Sequence, residues 1–131
     1  VYSIDKNPEA FRLMCENIRL NRVGGKVVPL LGDAGDVVKK GLEGKADRVL
    51  MPLPEFSRNF IDIAVSALKP EGGVIHFYDV GEEPDPFSPS IEFLSEKICK
   101  KKFKIKVLER RIIRSYAVRC YHVVLDLLLQ R

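Results

Sequence analysis

The sequence predicts an α/β fold of the Rossmann-like type: a mostly parallel β-sheet covered by helices, with an antiparallel hairpin at its C-terminal end. Short apolar runs typical of buried strands alternate with segments of helical periodicity, as in parallel sheets. The last two β segments, "FKIKVLERRIIRSY" and "CYHVVLDLLLQ", are only a few residues apart and therefore must pair antiparallel. The chain has 131 residues, of which 46% are hydrophobic, so we expect a single domain over residues 1–131 with a sizeable core.

Local signals in the first part of the chain predict a β-α-β unit. Residues 1–4 form the end of an apolar strand. Asn7 is a good helix N-cap and Pro8 suits the first helical position, so a helix begins here. The Gly-Gly pair at residues 24–25 is expected to end that helix. A short strand over residues 26–31 follows.

The remaining elements complete the order β-α-β-α-β-α-β-α-β-β. A short helix is predicted over residues 37–42 and a strand over residues 47–51. Ser57 is expected to cap the next helix, whose apolar residues recur at helical spacing. The segment "GVIHFYDV" is a strand, and a last helix is predicted to start at Ser88.

The positive charge is concentrated in the last third of the chain. The net charge is +4, but residues 97–119 hold ten basic side chains against a single acid, Glu109. This asymmetry favours a polyanionic partner. A solvated helix face followed by an edge strand protected by lysines would explain it equally well.

Several other classes of protein are disfavoured. No apolar run approaches the ~20 residues of a membrane-spanning helix. Cys15, Cys99 and Cys120 form no C-x-x-C pair, which favours reduced thiols and a cytoplasmic location. His76 and His122 have no second ligand at zinc spacing, so we expect no metal site.

Two acidic residues follow predicted strands, where ligands bind in open parallel sheets. Asp5 ends the first strand, and its two carboxylate oxygens suit the vicinal hydroxyls of an adenosine ribose. Alternatively, Asp5 accepts backbone N–H groups at the start of the following helix. Asp33 is expected to end the second strand, where it would meet the adenine amine while the Ala34 N–H meets a ring nitrogen. A plain Gly-Asp-Ala-Gly turn is the alternative there.

The third strand ends in "MPLPEF", in which two prolines stiffen the backbone. The carbonyls of Pro52 and Leu53 are expected to be free to accept hydrogen bonds from a planar ligand. A rigid β-to-α turn without a ligand is the alternative. No G-x-G-x-x-G occurs in the chain, although adenosine-binding folds carry a glycine-rich turn after their first strand. We therefore expect that the first strand and its glycine loop precede Val1.

The sequence resembles the catalytic domain of the archaeal and eukaryotic tRNA (guanine-37-N1)-methyltransferases over essentially its whole length. The most specific matching segments are "IDKNPEA", "ADRVLMPLPEF" and "GGVIHFY", and "RSYAVRCYHVVLDLLL" resembles the closing hairpin of that domain. The resemblance implies a class I methyltransferase fold, S-adenosyl-L-methionine as methyl donor and tRNA as substrate. The implied cofactor-binding residues are Asp5, Lys6, Asp33 and Ala34, and the implied substrate-binding residues are Pro52, Leu53 and Pro54.

Two departures from the family pattern qualify these implications. The family usually has Asn-Leu-Pro after this strand, whereas Pro52 occupies the Asn position here. The family's general base and its guanine-binding arginine precede the matching segment, so we assign no catalytic residue and expect the polypeptide alone to be inactive. Three alternatives remain open: a wybutosine-pathway aminocarboxypropyltransferase, a non-catalytic adenosine- or tRNA-binding module, and a nicotinamide-dependent oxidoreductase.

Overall fold

The computed structural model describes residues 1–131, and the chain divides into two compact units, residues 1–42 and residues 43–131. The predicted order of ten elements is confirmed. Each unit contains its own β-sheet, with two strands in the first and four in the second. The expectation of one domain over residues 1–131 stays a prediction.

The first unit is a β-α-β-α segment with a parallel strand pair. Strands β1 and β2 pair in register from Tyr2 opposite Val28 to Asp5 opposite Leu31. Because the strands are parallel, both carboxyl ends lie at the same edge of this sheet. The elements are β1 (Tyr2–Asp5), α1 (Pro8–Leu20), β2 (Val28–Leu31) and α2 (Ala34–Gly41).

Helix α1 begins as predicted but ends earlier. The Asn7 side chain accepts hydrogen bonds from Glu9 N and Ala10 N, and Pro8 opens the helix. The predicted stop at the Gly-Gly pair is wrong, because Arg22 adopts the left-handed conformation (φ 55°) two residues earlier. The Arg22 and Val23 N–H groups then donate back to carbonyls of the last turn, at 3.2 and 3.1 Å. This is a Schellman-type ending in which arginine occupies the position usually taken by glycine.

The second unit is a mixed sheet in the order β3-β4-β6-β5. Strands β3 and β4 are parallel, while β6 runs antiparallel to both β4 and β5. The predicted C-terminal hairpin is therefore confirmed, and it enters the sheet through its second strand. The elements are β3 (Arg48–Met51), α3 (Ser57–Ala67), β4 (Gly72–Glu82), α4 (Ser88–Cys99), β5 (Lys104–Ala117) and β6 (Cys120–Gln130).

The core of the second unit lies between its two helices and one face of the sheet. Ile75 and Phe77 of β4 lie opposite Leu127 and Leu125 of β6 and are fully buried. Helix α3 contributes the predicted apolar stripe, including Ile61 and residues one and two turns later. The buried cluster comprises Met51, Ile61, Ala64, Val65, Leu68, Ile75, Phe77, Leu94, Ile98, Phe103, Leu125, Leu127 and Leu129.

Helix α4 starts at Ser88, as predicted, but Asp85 supplies the capping side chain. Its Oδ1 accepts from Phe87 N at 3.0 Å and Ser88 N at 3.2 Å, and its Oδ2 accepts from the Ser88 hydroxyl at 2.6 Å. These hydrogen bonds lower the pKa of Asp85 from its ordinary value, with the Ser88 hydroxyl contributing most. No helix has the length and apolar character needed to cross a membrane.

Candidate functional site

Asp5 is the last residue of β1, as predicted, and is partly buried. Its Oδ1 accepts a hydrogen bond from Asn7 N at 2.9 Å. The helix-start role is thus present in the structure. Oδ2 has no hydrogen-bond partner, so one carboxylate oxygen stays available at the strand end. Lys6, the next residue, is exposed and forms no ion pair.

Asp33 does not end β2, and that part of the prediction is wrong. The strand ends at Leu31, and Asp33 is the N-cap of α2, accepting from Asp36 N at 3.2 Å. The cap also explains why α2 starts at Ala34, three residues before the predicted start. Gly32 makes this possible: its φ of +153° suits glycine, and a Cβ there would lie 3.1 Å from a methyl group of Val37.

Asp33 and Ala34 nevertheless present groups that a ligand would need. The second Asp33 oxygen has no partner in the protein. The Ala34 N–H is at the first helical position, where it has no acceptor within the helix, and it makes no other hydrogen bond. A free carboxylate oxygen beside a free N–H matches the donor and acceptor pattern of an adenine edge.

The backbone brings the ends of β1 and β2 together. Asp5 lies opposite Leu31 in the register, and Gly32 N donates to the Asp5 carbonyl at 3.0 Å. Asp33 follows directly, so both acids lie at the carboxyl edge of the same strand pair. This is the edge at which ligands bind in open α/β sheets.

A shallow concavity of about 490 Å³ lies along α1. Asp5 lines its rim, but neither Asp33 nor Ala34 takes part. Its wall is mainly apolar and is formed by one face of the helix. The lining residues are Asp5, Ala10, Leu13, Met14, Asn17, Ile18, Asn21 and Val23. The predicted adenosine-binding groups therefore lie at the strand ends and do not define this cavity.

In the second unit, Pro52, Leu53 and Pro54 form the turn between β3 and α3. The predicted free carbonyl of Leu53 is wrong. That oxygen accepts from Phe56 N at 3.1 Å, from Ser57 N at 3.0 Å and from the Ser57 hydroxyl at 2.8 Å. The Pro52 carbonyl has no hydrogen-bond partner, so only this part of the prediction survives. The Leu53 side chain is 62% exposed.

Ser57 has a different role from the predicted helix cap. It is the first residue of α3, and its buried hydroxyl donates towards the carbonyls of Met51 and Leu53. The sequence shows that a serine follows the turn, but it does not show that the hydroxyl points back to the carbonyls of Met51 and Leu53. A cap was the expected role because serine is common at that position.

A buried polar cluster that was not predicted from the sequence lies beside the same helix. Asp79 of β4 is 4% exposed, and its Oδ2 accepts from Arg58 Nε at 2.9 Å and from the Ser90 hydroxyl at 2.7 Å. Its Oδ1 accepts from Val80 N at 2.9 Å. Asp79 thereby links α3, β4 and α4. The one sequence feature that could have indicated this cluster was the acidic Asp79 within the largely apolar strand segment "GVIHFYDV".

The basic segment is divided between the two ends of β5. Lys104 lies opposite Gln130, which also pairs with Gly72 at the start of β4. At the other end, Ala117 pairs with Cys120, and Cys120 pairs with Glu82. The lysines at residues 97–106 therefore lie at the amino edge of β4, and the arginines at residues 110–119 lie towards its carboxyl edge.

The carboxyl end of β4 is tied to the hairpin. The Tyr121 hydroxyl donates to the Glu83 carboxylate, and this hydrogen bond raises the pKa of Tyr121. Glu83 N also donates to the Arg119 carbonyl at 3.0 Å. These contacts hold the turn between β5 and β6 beside the end of β4.

Comparison with known proteins connects these features to one family. Residues 1–108 match the family described as the TRM5/TYW2 methyltransferase domain. A tRNA (guanine(37)-N(1))-methyltransferase Trm5b from Pyrococcus abyssi is 41% identical over 126 residues, covering 96% of this chain and 36% of that protein. A tRNA(Phe) (4-demethylwyosine(37)-C(7)) aminocarboxypropyltransferase from Methanocaldococcus jannaschii is 37% identical over 131 residues, covering 100% of this chain and 51% of that protein.

A solved structure agrees with the sequence comparisons. The crystal structure of TYW2 from M. jannaschii in complex with AdoMet superposes with a TM-score of 0.92 at 37% identity, covering 100% of this chain and 57% of that chain. The chain spans roughly a third to a half of the length of the curated relatives named above. The predicted Rossmann-like methyltransferase fold is confirmed by these matches. The chain belongs to the TRM5/TYW2 methyltransferase domain family.

Proposed function

We propose that the protein containing this chain is an S-adenosyl-L-methionine-dependent tRNA methyltransferase that modifies N1 of guanosine 37. The observation that carries the proposal is the pair of strand ends in the first unit. In this chain, Asp5 and Asp33 lie at one edge of the first unit's sheet, and each keeps one carboxylate oxygen without a hydrogen-bond partner. Unpartnered acceptors at that edge support a nucleoside ligand.

In this proposal the residues of the first unit hold the cofactor. Asp5 Oδ2 accepts from the ribose hydroxyls, while Oδ1 stays bonded to Asn7 N. Asp33 accepts from the adenine amine, and the Ala34 N–H donates to a ring nitrogen. Lys6 is exposed beside Asp5 and lies within the same strand-end segment. The bound cofactor supplies the methyl group for transfer.

The turn after β3 is proposed to line the place of methyl transfer. Pro52 offers a main-chain carbonyl without a partner, and the exposed Leu53 and the partly buried Pro54 present an apolar surface. Guanine N1 must lose a proton as it gains the methyl group, and this step needs a base and a donor to O6. No residue of this chain is assigned to either task. The proposed contribution of the turn is orientation of the reactants, which can supply a large share of rate enhancement.

The arginine-rich end of β5 is the part of the basic segment proposed to contact tRNA. It lies at the carboxyl edge of β4, the same end of the sheet at which β3 leads into the proline turn. Contacts from arginine to phosphates would add affinity that falls with salt. A cytoplasmic location is also proposed, and the three unpaired cysteines support it.

Aminocarboxypropyl transfer to a modified guanosine 37 is the second candidate. It is favoured by the similarity to the aminocarboxypropyltransferase and by the TM-score of 0.92 with TYW2. The "MPLPEF" turn favours methyl transfer, because it resembles the Leu-Pro turn of the guanosine-37 methyltransferases more than the strand end of the aminocarboxypropyltransferases. Both candidates use the same cofactor, but they transfer different carbon atoms from it.

The test is an assay with two labelled forms of the cofactor. The full-length protein is incubated separately with unmodified tRNA and with 4-demethylwyosine-containing tRNA, each time with cofactor labelled either in the methyl group or in the carboxypropyl chain. Methyl label recovered as N1-methylguanosine at position 37, without carboxypropyl label, is the expected result. Carboxypropyl label in the RNA would replace the proposal with the second candidate. No label from either form, with tRNA and 4-demethylwyosine-containing tRNA both supplied, would favour a binding module.

A further inference from the structure

Ser57 carries a nearly completely buried hydroxyl at the start of α3, with the residue only 2% exposed. The Oγ atom lies 3.1 Å from the Met51 carbonyl and 2.8 Å from the Leu53 carbonyl. These two carbonyls flank Pro52. The single hydroxyl proton is therefore shared between the two carbonyls, and the side chain bridges the two sides of Pro52.

The composition of the turn explains why a side-chain donor is needed. Pro52 and Pro54 have no N–H group, so half of the residues between β3 and Phe56 cannot donate from the main chain. The Leu53 carbonyl receives its backbone hydrogen bonds from Phe56 and Ser57 instead. The Ser57 hydroxyl adds a third donor to that oxygen, which has only two lone pairs.

These hydrogen bonds determine which main-chain carbonyl of the turn can still accept a hydrogen bond from a ligand. Leu53 has no remaining acceptor capacity, and Met51 is the last residue of β3 and is bonded to Ser57. The Pro52 carbonyl between them is unpartnered. The Pro52 carbonyl is thus the acceptor without a partner between two occupied ones, in a backbone stiffened by two prolines and bridged by the Ser57 hydroxyl.

A second group of hydrogen bonds anchors the same helix start. Arg58 follows Ser57 and forms an ion pair with the buried Asp79, with Nη2 at 2.9 Å from Oδ2. The Ser90 hydroxyl shares that carboxylate oxygen at 2.7 Å. These contacts fix the first turn of α3 from the sheet side, in addition to the hydrogen bonds between Ser57 and the proline turn.

We infer that Ser57 is a positioning residue whose hydroxyl holds the turn so that the Pro52 carbonyl is directed to the reacting ligand. This inference rests on the proposed function, since it assigns the ligand side of the turn to methyl transfer. Loss of the hydroxyl would release the Met51 carbonyl, while the Leu53 carbonyl would keep only its two main-chain donors, and the turn could move. The rate of transfer would fall, whereas cofactor held by other residues would still bind.

The experiment compares Ser57→Ala with the unmodified full-length protein in single-turnover methyl transfer to tRNA. We expect the rate to fall at least ~10-fold, because small displacements of reacting groups are costly. The dissociation constants for S-adenosylhomocysteine and for tRNA should change less than about twofold, since Ser57 is assigned to neither. Ser57→Thr, which keeps the hydroxyl, should restore most of the rate.

Ser66→Ala is the matched control. Ser66 lies in the same helix, and its hydroxyl also donates to a main-chain carbonyl, that of Ile63 at 2.8 Å. It lies near the other end of α3, so its loss should leave the transfer rate unchanged. Hydrogen exchange adds a readout that does not need activity: the Phe56 and Ser57 amides should exchange faster in Ser57→Ala and normally in Ser66→Ala.

The outcomes separate the inference from the proposed function. If the unmodified protein transfers no methyl group to tRNA, the proposed function is wrong. If it does and Ser57→Ala keeps a rate within about twofold of it, only the positioning role is overturned. If Ser57→Ala does not fold, the isosteric pair Ser57→Thr and Ser57→Val decides. A folded Val variant with a normal rate would show that the hydroxyl is not needed for transfer and would overturn the inference. A Val variant that also fails to fold, while the Thr variant is active, would assign the hydroxyl to folding and would overturn it as well.

Discussion

Gly32 shows how one residue determines which atoms face the proposed ligand. Its φ of +153° allows the chain to turn directly from β2 into the cap of α2. Any side chain at this position would adopt an unfavourable backbone conformation and approach Val37. The orientation of Asp33 and of the Ala34 N–H therefore depends on a residue that has no functional group of its own.

Gly32→Ala should destabilise the full-length protein by more than about 1 kcal/mol, because the substitution imposes a positive φ on alanine. Denaturant unfolding measures the effect. Gly24→Ala is the control, since Gly24 has no neighbouring atom within 4 Å of the added Cβ and lies outside the left-handed region. A Gly32→Ala variant as stable as Gly24→Ala would contradict the role given to Gly32.

The strand-end position of Asp5 could be predicted from the sequence, but that of Asp33 and the hydrogen-bond partners of the turn residues could not. Asp5 lies where the pattern placed it, because an acid directly after an apolar run marks a strand end. Leu53 was expected to offer a free carbonyl, and Ser57 occupies it. The direction of a serine hydroxyl depends on which carbonyls lie nearby in three dimensions, and periodicity carries no information about that.

At the scale of elements, helix α4 depends on an acid outside its own range. Asp85 lies three residues before Ser88 and accepts three hydrogen bonds at the helix start, two from main-chain N–H groups and one from the Ser88 hydroxyl. The lowered pKa of Asp85 means that the folded protein favours its ionised form. Its contribution to stability is therefore present when the pH is above the ordinary aspartate value and is lost as the pH falls through the lowered one.

Asp85→Asn should lower the melting temperature of the full-length protein at pH 7. The difference from the unmodified protein should shrink as the pH falls below about 4, where the carboxylate of the unmodified protein also gains a proton. Thermal melts at several pH values measure this. Glu92→Gln, on the exposed face of the same helix and without a hydrogen bond or ion pair, should show no such pH-dependent difference. A constant difference across the pH range would argue against the capping role of the charge.

The order and type of every element could be predicted because periodicity and turn residues are local signals. The first and last residues of the helices were harder to predict. Helix α1 ended at an arginine in the left-handed conformation, and α2 began three residues early at an aspartate cap. At the first boundary an arginine adopts a backbone conformation unusual for its residue type, and at the second an aspartate takes the capping role that is common for it.

At the scale of the whole chain, the sheet topology divides a charge pattern that the sequence shows as one block. The hairpin runs the full length of β4, so the lysines of residues 97–106 lie near the amino end of β4, whereas the arginines of residues 110–119 extend from its middle to its carboxyl end. Strand order and pairing register decide this separation. Neither can be obtained from the number of charges.

Arg119 and Lys102 provide a matched test of that separation. Both are exposed, both have positive φ values (57° and 64°), and neither side chain forms an ion pair. Arg119→Ala should weaken tRNA binding and reduce the salt dependence of the association constant by about one phosphate contact. Lys102→Ala should leave both unchanged. Filter-binding titrations at several salt concentrations measure the slopes, and equal effects from the two variants would contradict the assignment.

The central claim is that the carboxyl end of β1 binds the ribose of the cofactor through the free oxygen of Asp5. Asp5→Asn tests it directly, because the side-chain amide keeps an oxygen for Asn7 N but removes the second carboxylate oxygen. Calorimetric titration of the full-length protein with S-adenosylhomocysteine is the measurement, with the exposed Glu71→Gln as control. We predict that Asp5→Asn weakens binding at least ~10-fold with an unchanged melting temperature. An affinity equal to that of the unmodified protein would contradict the account.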